Sequence, residues 1–491
     1  MESAPARIEH PPLAGDTTCE VLVVGAGIVG VTTALLLARD GREVTLLEAR
    51  EIGAGATGYT TAKLSSLHGL TYQDLDSSLG DQAARAYAKA NQLGIERVAA
   101  FVEELAIDCD FRRKPNFTYT ESVSGREAIE REVEVAIRLG LPASLAEGVE
   151  ELPFDVPAAV RFEQQAEFHP LKYLAALSEA AVSAGCKIHE RTRVVGVSEG
   201  SPHRARTESG AEVAAERVVV ATHLPILDRG LYFARTHPVR SYVLLCDLDG
   251  AVPRGMYLSD EDRAHSLRSV PTSGGERLMV GGESHKVGQS DSSARYQALE
   301  EWARKRFAIK AIEWRWATQD NMPADGLPFV GALWPVSDDI LTVTGLKKWG
   351  LAMGTAAAEM LRDRITGREN ELAAPFSPVR LHPLAAAPDL IKENANAGYR
   401  MVADRLTKRR AEEDLAPGEG AVVGDGIAQR AVYRDDDGEL HTLSARCTHV
   451  GCIVSFNSAE RSWDCPCHGS RFGVDGEVLE GPAVKPLSKK N

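Results

Sequence analysis

Residues 20–50 read EVLVVGAGIVGVTTALLLARDGREVTLLEAR, and this stretch decides the fold of the N-terminal part. The valine-rich run EVLVVG (20–25) has the short, continuous apolar character of a strand buried on both faces. Gly25, Gly27 and Gly30 follow with G-x-G-x-x-G spacing. The apolar run after them predicts a helix over 28–39, stopped at Asp40-Gly41. EVTLLEA then predicts a second strand, ending in Glu48, 23 residues after Gly25. Each part has its own physical task. Gly25 permits the tight turn, Gly27 lets the backbone approach a pyrophosphate, and Gly30 lets the helix lie close to the strand. The helix N-terminus stabilises phosphate charge, and Glu48 can accept hydrogen bonds from ribose hydroxyls. Three glycines alone would describe an ordinary turn. Strand, turn, helix, strand and acid together predict a dinucleotide site. NAD and FAD both use such a unit, so it does not choose between them, and the sequence offers no second one.

The chain has 491 residues, of which 44% are hydrophobic. At ~150 residues per domain that predicts about three domains. A formal net charge of -14 argues against a nucleic-acid or anionic-membrane partner, which needs a basic patch. No basic run followed by a continuous apolar region opens the sequence. The apolar stretch 21–38 approaches the length of a membrane span but is interrupted by its glycines. The expectation is a cytoplasmic protein without a membrane span.

Further along, the pattern predicts helices over 81–105 and from Pro170 to Ala184, the latter stopped by Gly185. Strands are expected within 186–199 and 216–223, and a β-leaning region over 230–320. From 325 to 367 the sequence reads as strand, turn, strand, glycine-rich loop and helix, with small residues Gly354 to Ala358 at the helix start. Residues 372–396 carry four prolines and no clear period, and read as a linker wrapping the first domain. Beyond it come short strands with hairpin signals DDDG (435–438) and VDGE (474–477), the mark of a small all-β domain.

That domain holds CTHVGCIVSFNSAERSWDCPCHGSRF (447–472), with four of the eight cysteines and two histidines. A structural zinc site usually offers paired C-x2-4-C ligands. A thioredoxin-like site needs C-x-x-C before a helix. A third reading is a [2Fe–2S] centre with two Cys on one iron and two His on the other. Cys447-Thr-His449-Val-Gly-Cys452 and Cys465-Pro-Cys467-His468-Gly-Ser470 resemble the two boxes of the Rieske iron–sulfur domain, with GPA (481–483) resembling its proline loop. The resemblance implies Cys447 and Cys465 on one iron and His449 and His468 on the other. It also implies a disulfide between Cys452 and Cys467. Imidazoles in place of thiolates raise the cluster potential, into roughly -150 to +300 mV. Ser470 could donate to the cluster and raise it further. Phe472 stands where high-potential members carry a tyrosine, and the missing hydroxyl implies a somewhat lower value.

The N-terminal part resembles the FAD-dependent D-amino-acid oxidase–like superfamily, which includes glycine and sarcosine oxidases. The resemblance rests on the glycine unit with Glu48 and Arg50, on GAGATGYTTAKLSS (53–66), on RVVGV and VVVATH, and on DGLPFVG with TGLKKWGLAMGTAAAEM. It implies FAD rather than NAD, held by Gly25, Gly27, Gly30, Glu48, Arg50, Thr57, Thr61, Val194, Gly331, Gly350, Met353, Gly354 and Thr355. The implied fold is an α/β, Rossmann-like FAD-binding domain (18–95, 161–228, 319–371). An α+β substrate domain with a mixed β-sheet is interleaved with it (96–160, 229–318). A linker (372–397) and the all-β Rieske domain (398–491) follow.

Lys347, Lys348 and Trp349 fall in the loop expected to face the flavin and are the catalytic candidates. A lysine there would bind a substrate carboxylate or favour reduced flavin, and Trp349 would wall the site. The alternative is a solvated lysine pair and a packed tryptophan. Thr57, Thr60 and Thr61 either bond the cofactor or satisfy a buried loop. Lys63 reads as a surface lysine and His169 as a capping or core histidine. His223 has no assigned role. Cys19, Cys109, Cys186 and Cys246 read as buried small hydrophobes.

The sequence contains no convincing D/E-x-x-H-x4-H run for a mononuclear iron, so the partner expected for the cluster is FAD. The leading expectation is a dehydrogenase that oxidises a C–N bond of a small-molecule amine or amino acid. Electrons would pass singly to the cluster and on to an external carrier such as a ferredoxin, a cytochrome or a quinone. One alternative reverses the flow, with the cluster feeding a flavin reductase. Another is a non-catalytic redox sensor or carrier, which a filled flavin face would favour.

Overall fold

The computed structural model describes residues 8–380, 382–406, 411–424 and 429–490. Its N-terminal sheet has Thr17–Val24 near the centre. Val44–Leu47 and then Lys187–His189 lie on one side, and Glu212–Val220, Ser337–Thr344 and Phe329–Trp334 on the other. All these pairings are parallel except the last. The helix after the glycine loop, Ile28–Arg39, is buried from Ile28 to Ala38. It packs between helices Pro170–Ser183 and Gly350–Thr366 as well as on the sheet, which explains why it is apolar all round. Two close approaches depend on glycine. A Cβ on Gly30 would stand 1.8 Å from the Gly25 carbonyl oxygen, and one on Gly94 would stand 2.0 Å from that of Ala352.

A second sheet of nine strands stands beside the first. Its order is Ile309–Pro323, Thr236–Leu248, Gly275–Lys286, Ser266–Thr272, Met256–Ser259, Arg112–Thr120, Ala158–Glu167 and Lys63–Leu64, with Ala143–Ala146 pairing Ala158–Glu167. Two distant stretches of chain thus build one mixed sheet, joined where Met256–Ser259 runs parallel to Arg112–Thr120. Its strands run on to Glu167 and Pro323, beyond the 160 and 318 expected for the substrate domain, and helix Asp81–Glu104 crosses the boundary expected at 95. Within the β-leaning region a helix, Ser292–Arg306, covers one face of the sheet.

The expected linker is instead largely a helix, Pro383–Leu406. Prolines hid it. Pro383 opens the helix, where proline is tolerated because the first N–H groups have no intrahelical partner. Pro388 lies inside it. The helix is a strut. Asn394 bonds the Ala234 carbonyl and Glu393 pairs with Lys286 on the side of the second sheet, while Ala397 and Met401 pack on the C-terminal core.

The C-terminal domain has a three-stranded sheet, Gly420–Val423, Arg430–Arg434 and Leu440–Ser444. A four-stranded sheet of Ser455–Asn457, Ser462–Asp464, Arg471–Gly473 and Val478–Glu480 faces it. Both hairpin signals lie at turns between paired strands. The domain is anchored on the second sheet by a buried network. Arg240 pairs with Glu460, and Arg471 reaches Glu460, Asp464 and Glu480. Among the described residues no helix is long and apolar enough to cross a membrane.

Candidate cofactor and substrate site

The glycine loop opens onto a cavity of about 390 Å³, within the size range of small-molecule sites. One end is lined by Glu48, Arg50, Arg193 and Val194. The middle is lined by Gly25, Gly27, Thr57 and Thr61. The far end is lined by Leu346, Lys348, Trp349, Gly350 and the second sheet. Glu48 holds the loop itself: its two oxygens accept from Ala26 N–H at 2.7 Å and Arg50 N–H at 2.9 Å. Burial raises its pKa above the usual carboxylate value, against the lowering effect of those bonds. Thr57 Oγ1 accepts the Ile28 N–H at 3.1 Å. A Cβ on Gly27 would find only Thr57 Oγ1, at 3.1 Å, so the residue leaves open the space through which a pyrophosphate must approach. A cavity that takes in a helix N-terminus at Gly27 and an acid at the end of the second strand, Glu48, fits a dinucleotide.

Several expected cofactor residues do not reach this cavity. Gly30 serves helix–turn packing. Gly331 lies on the antiparallel edge hairpin, against Pro378. Gly354 faces Val29 and Ile28, so it sets the distance between two helices. Met353 is buried with its sulfur 3.9 Å from Asn91 Nδ2, and Thr355 Oγ1 donates to Leu351 O within its own helix. Only the first turn of Gly350–Thr366 touches the cavity. The small residues behind it serve the close approach of the neighbouring helices.

The lysine pair divides. Lys347 and Lys348 both have left-handed backbones, φ 54° and 69°, and this costs roughly 1–2 kcal/mol per residue. The result is opposite directions. Lys347 points away from the cavity, and burial lowers its pKa while Asp74 and Glu132 oppose the shift. Lys348 borders the cavity. Its Nζ donates to Ser284 Oγ at 2.7 Å and its N–H to Asp320 Oδ2 at 2.7 Å. Burial brings its pKa down to about 8, with Asp320 resisting. By accessible surface Lys348 is an exposed residue, so solvent counters part of that shift. Trp349 is a fixed wall, stacked on His68 at 4.2 Å. His68 Nε2 must donate to the Ser65 carbonyl, so Nδ1 accepts from Tyr87 OH. Burial, with some help from Lys347, holds that ring neutral at about 3.

The site also contains groups that the sequence did not reveal. Lys63 is not a surface residue. It is 5% exposed, lines the cavity, and donates to the Tyr257 carbonyl. Burial and Arg268 push its pKa well below normal, against Glu167. His223 lines the cavity with φ 67° and pairs with Asp320 at 3.2 Å. Burial opposes its charge, but Asp320 outweighs it and raises the pKa. No local pattern marked Asp320, which lies within a long strand. His169 accepts from Lys172 N–H as a helix cap, and Cys19, Cys109, Cys186 and Cys246 are buried.

The cysteine–histidine stretch forms two matching loops. In the first, Cys447 N–H donates to Cys452 O and Gly451 N–H to Cys447 O; in the second, Cys465 N–H donates to Ser470 O and Gly469 N–H to Cys465 O. Gly451 and Gly469 take φ 85° and 78°, where a side chain would be strained. The loops face each other and are tied by a Cys452–Cys467 disulfide. The sulfurs of Cys452, Cys465 and Cys467 lie within 4.8 Å of one another, but two of them are spent in that bond. Cys447 and Cys465 are both free and buried, with their side chains beside each other. Beside them the His449 and His468 rings are 5.1 Å apart, and both Nδ1 atoms are buried without a partner. Burial and the His449 ring hold His468 neutral at about 4. Two sulfurs and two unpartnered imidazole nitrogens in one buried space suit a mixed Cys2His2 iron–sulfur centre. Ser470 Oγ accepts the Ala483 N–H at 3.0 Å, tying the second loop to the GPA segment.

Fold and site define a flavoprotein with an appended iron–sulfur domain. Comparison with known proteins agrees: the FAD dependent oxidoreductase family matches residues 20–364 and the Rieske [2Fe-2S] domain residues 407–490. The chain belongs to this FAD-dependent oxidoreductase family and carries a Rieske domain, and it binds FAD and a [2Fe–2S] cluster. A putative Rieske 2Fe-2S iron-sulfur protein of Bacillus subtilis (strain 168), YhfW, is 36% identical over 482 residues, spanning 98% of this chain and 94% of that one. Glycine oxidase from Geobacillus kaustophilus superposes with a TM-score of 0.63 at 21% identity, over 74% of this chain and 99% of that one. L-proline dehydrogenase from P. horikoshii gives 0.61 at 20% identity, over 76% and 98%. At these identities the two structures speak to fold.

Proposed function

We propose that the chain is a dehydrogenase that oxidises a C–N bond of a small amine or amino acid bearing a carboxylate, and passes the electrons through the Rieske centre to an external carrier. The observation that carries this reading is a shared wall. Residues Leu479, Glu480, Gly481, Ala483 and Val484 of the Rieske domain line the same cavity as the glycine loop. From the other side, Ile226 lines the cavity and Asp228 hydrogen-bonds His449. Two residues of chain span at most about 7 Å.

When bound, FAD supplies hydride acceptance at carbon and the cluster supplies one-electron transfer. The chain's own residues do the rest. Lys348 presents a cation to the substrate carboxylate, with Ser284 and Ser241 hydroxyls beside it. Trp349, Leu258 and Val243 give the apolar walls. The N-terminus of Gly350–Thr366 turns its positive end toward the flavin end of the cavity. Cys447, Cys465, His449 and His468 would hold the cluster, two thiolates on one iron and two imidazoles on the other. Glycine oxidase and L-proline dehydrogenase, by name, act on amine-bearing carboxylates, which supports this substrate class. A cavity bounded by Ser241 to Val243, Ser266 and Gly281 favours an enzyme over a sensor with a filled flavin face.

The test is anaerobic. Purified holoprotein is mixed with amines, D- and L-amino acids and N-methyl amino acids, flavin absorbance is followed, and the cluster is then read by EPR. Bleaching followed by cluster reduction is expected. Bleaching with the cluster left oxidised would break the proposed path. Bleaching only by reduced ferredoxin would reverse its direction.

A further inference from the structure

The imidazole edge of the cluster loops is closed off by the FAD-dependent oxidoreductase part of the chain, residues 20–364. His449 Nε2 lies 2.8 Å from Asp228 Oδ1. Phe233 sets its ring edge-on to both imidazoles, with centroids 5.1 Å from His449 and 4.9 Å from His468. Below, Gln319 Nε2 donates to the Gly469 carbonyl at 2.9 Å, and Pro238 leaves no room for a side chain on Gly469.

An ionised carboxylate can only accept, so the His449 Nε2 must carry the hydrogen. That fixes the tautomer with its lone pair on Nδ1, the buried atom that has no protein partner. The same bond fixes the ring's rotation. Reduction of the cluster adds negative charge next to an existing negative charge, so the carboxylate disfavours the reduced state.

We propose that Asp228 is a positioning residue for the iron–sulfur centre: it orients His449 across the domain boundary and lowers the cluster's reduction potential. The Rieske domain does not set its potential alone. It takes part of it from the loop that also lines the dinucleotide cavity two residues earlier, at Ile226. The inference holds for either direction of electron flow. Asp228 is 60% exposed, so its influence is screened by salt.

The experiment uses the full-length holoprotein with Asp228→Asn and Asp228→Glu. Iron and acid-labile sulfide report cluster content, and a dye-mediated titration read by EPR reports the potential. Asp228→Asn should raise the potential and alter the EPR signal of the reduced cluster, and the gap from wild type should narrow as ionic strength rises. Asp228→Glu should stay near wild type. Cluster loss in the Asn variant with retention in the Glu variant also supports the positioning role. A full cluster with unchanged potential and EPR in Asp228→Asn overturns the proposal. So does an equal shift, or equal cluster loss, in both variants.

Discussion

Gly27→Ala and Gly30→Ala look like the same mutation in one motif, yet the structure predicts opposite phenotypes. At Gly30 an added Cβ would stand 1.8 Å from the Gly25 carbonyl oxygen and 3.0 Å from its carbon. Carbon–oxygen contacts settle at roughly 3.3–3.6 Å, so helix and turn must part by about 1.5 Å. Overpacking of this kind costs about 1–3 kcal/mol even before cofactor is considered. At Gly27 the backbone is ordinary, φ -82°, and only Thr57 Oγ1 lies within reach, at 3.1 Å. Alanine there also restricts the unfolded chain, a gain of about 0.4–1 kcal/mol that offsets the crowding. Its apoprotein should therefore match wild type to within about 1 kcal/mol. Bound FAD is a different matter. Ligand at 100 times its Kd stabilises by about 2.7 kcal/mol, and a methyl group at the pyrophosphate approach removes that gain. The assay is flavin content after purification, with thermal melts of apoprotein run with and without added FAD. Gly27→Ala should melt like wild-type apoprotein and ignore FAD, and Gly30→Ala should melt lower in both conditions. A Gly27→Ala protein that purifies with full flavin and gains stability from FAD would refute the assignment of the cavity.

Three further outcomes are expected. With Lys348 at about pKa 8, an anionic substrate is met by a cation below that pH and by a neutral amine above it. For any substrate that bleaches the flavin, kcat/KM should fall roughly tenfold per pH unit above about 8. Lys348→Met should cost about 1.5–3 kcal/mol, the worth of a hydrogen bond to a charged group, or roughly 10- to 150-fold in kcat/KM. A flat profile from pH 7 to 9 would count against the lysine. Phe472→Tyr places a hydroxyl in the buried core beside the cluster loops, and the cluster potential in a redox titration should rise.

Much of the fold was legible because its signals are local. The glycine spacing, the apolar strand runs and the two Cys–His boxes each express a constraint carried by a few adjacent residues. What failed was orientation. Adjacent lysines 347 and 348 carry the same chemistry in the sequence, and two successive left-handed residues send one to Asp74 and the other to the cavity. Lys63 reads as a surface residue until the second sheet closes over it. Small residues 354 to 358 mark a close approach without naming what approaches, and Gly354 sets helix spacing against Val29 and Ile28. Prolines disguised the helix Pro383–Leu406, because a proline at a helix start leaves no mark different from one in a loop.

The sequence by itself determined two sites: a dinucleotide turn, since Gly25 takes a left-handed φ of 103° and Gly30 admits the Gly25 carbonyl, and an iron–sulfur centre, since its donors come from two short boxes. It did not determine that they belong to one machine. Asp228 and His449 are 221 residues apart in the chain, and Asp320 lies 97 residues from His223. Such pairs exist only once two sheets, a helical strut and a small β-domain have packed. Hydrogen bonds between distant segments leave no periodicity in the sequence, so the wall shared by the two sites was decided by tertiary structure alone.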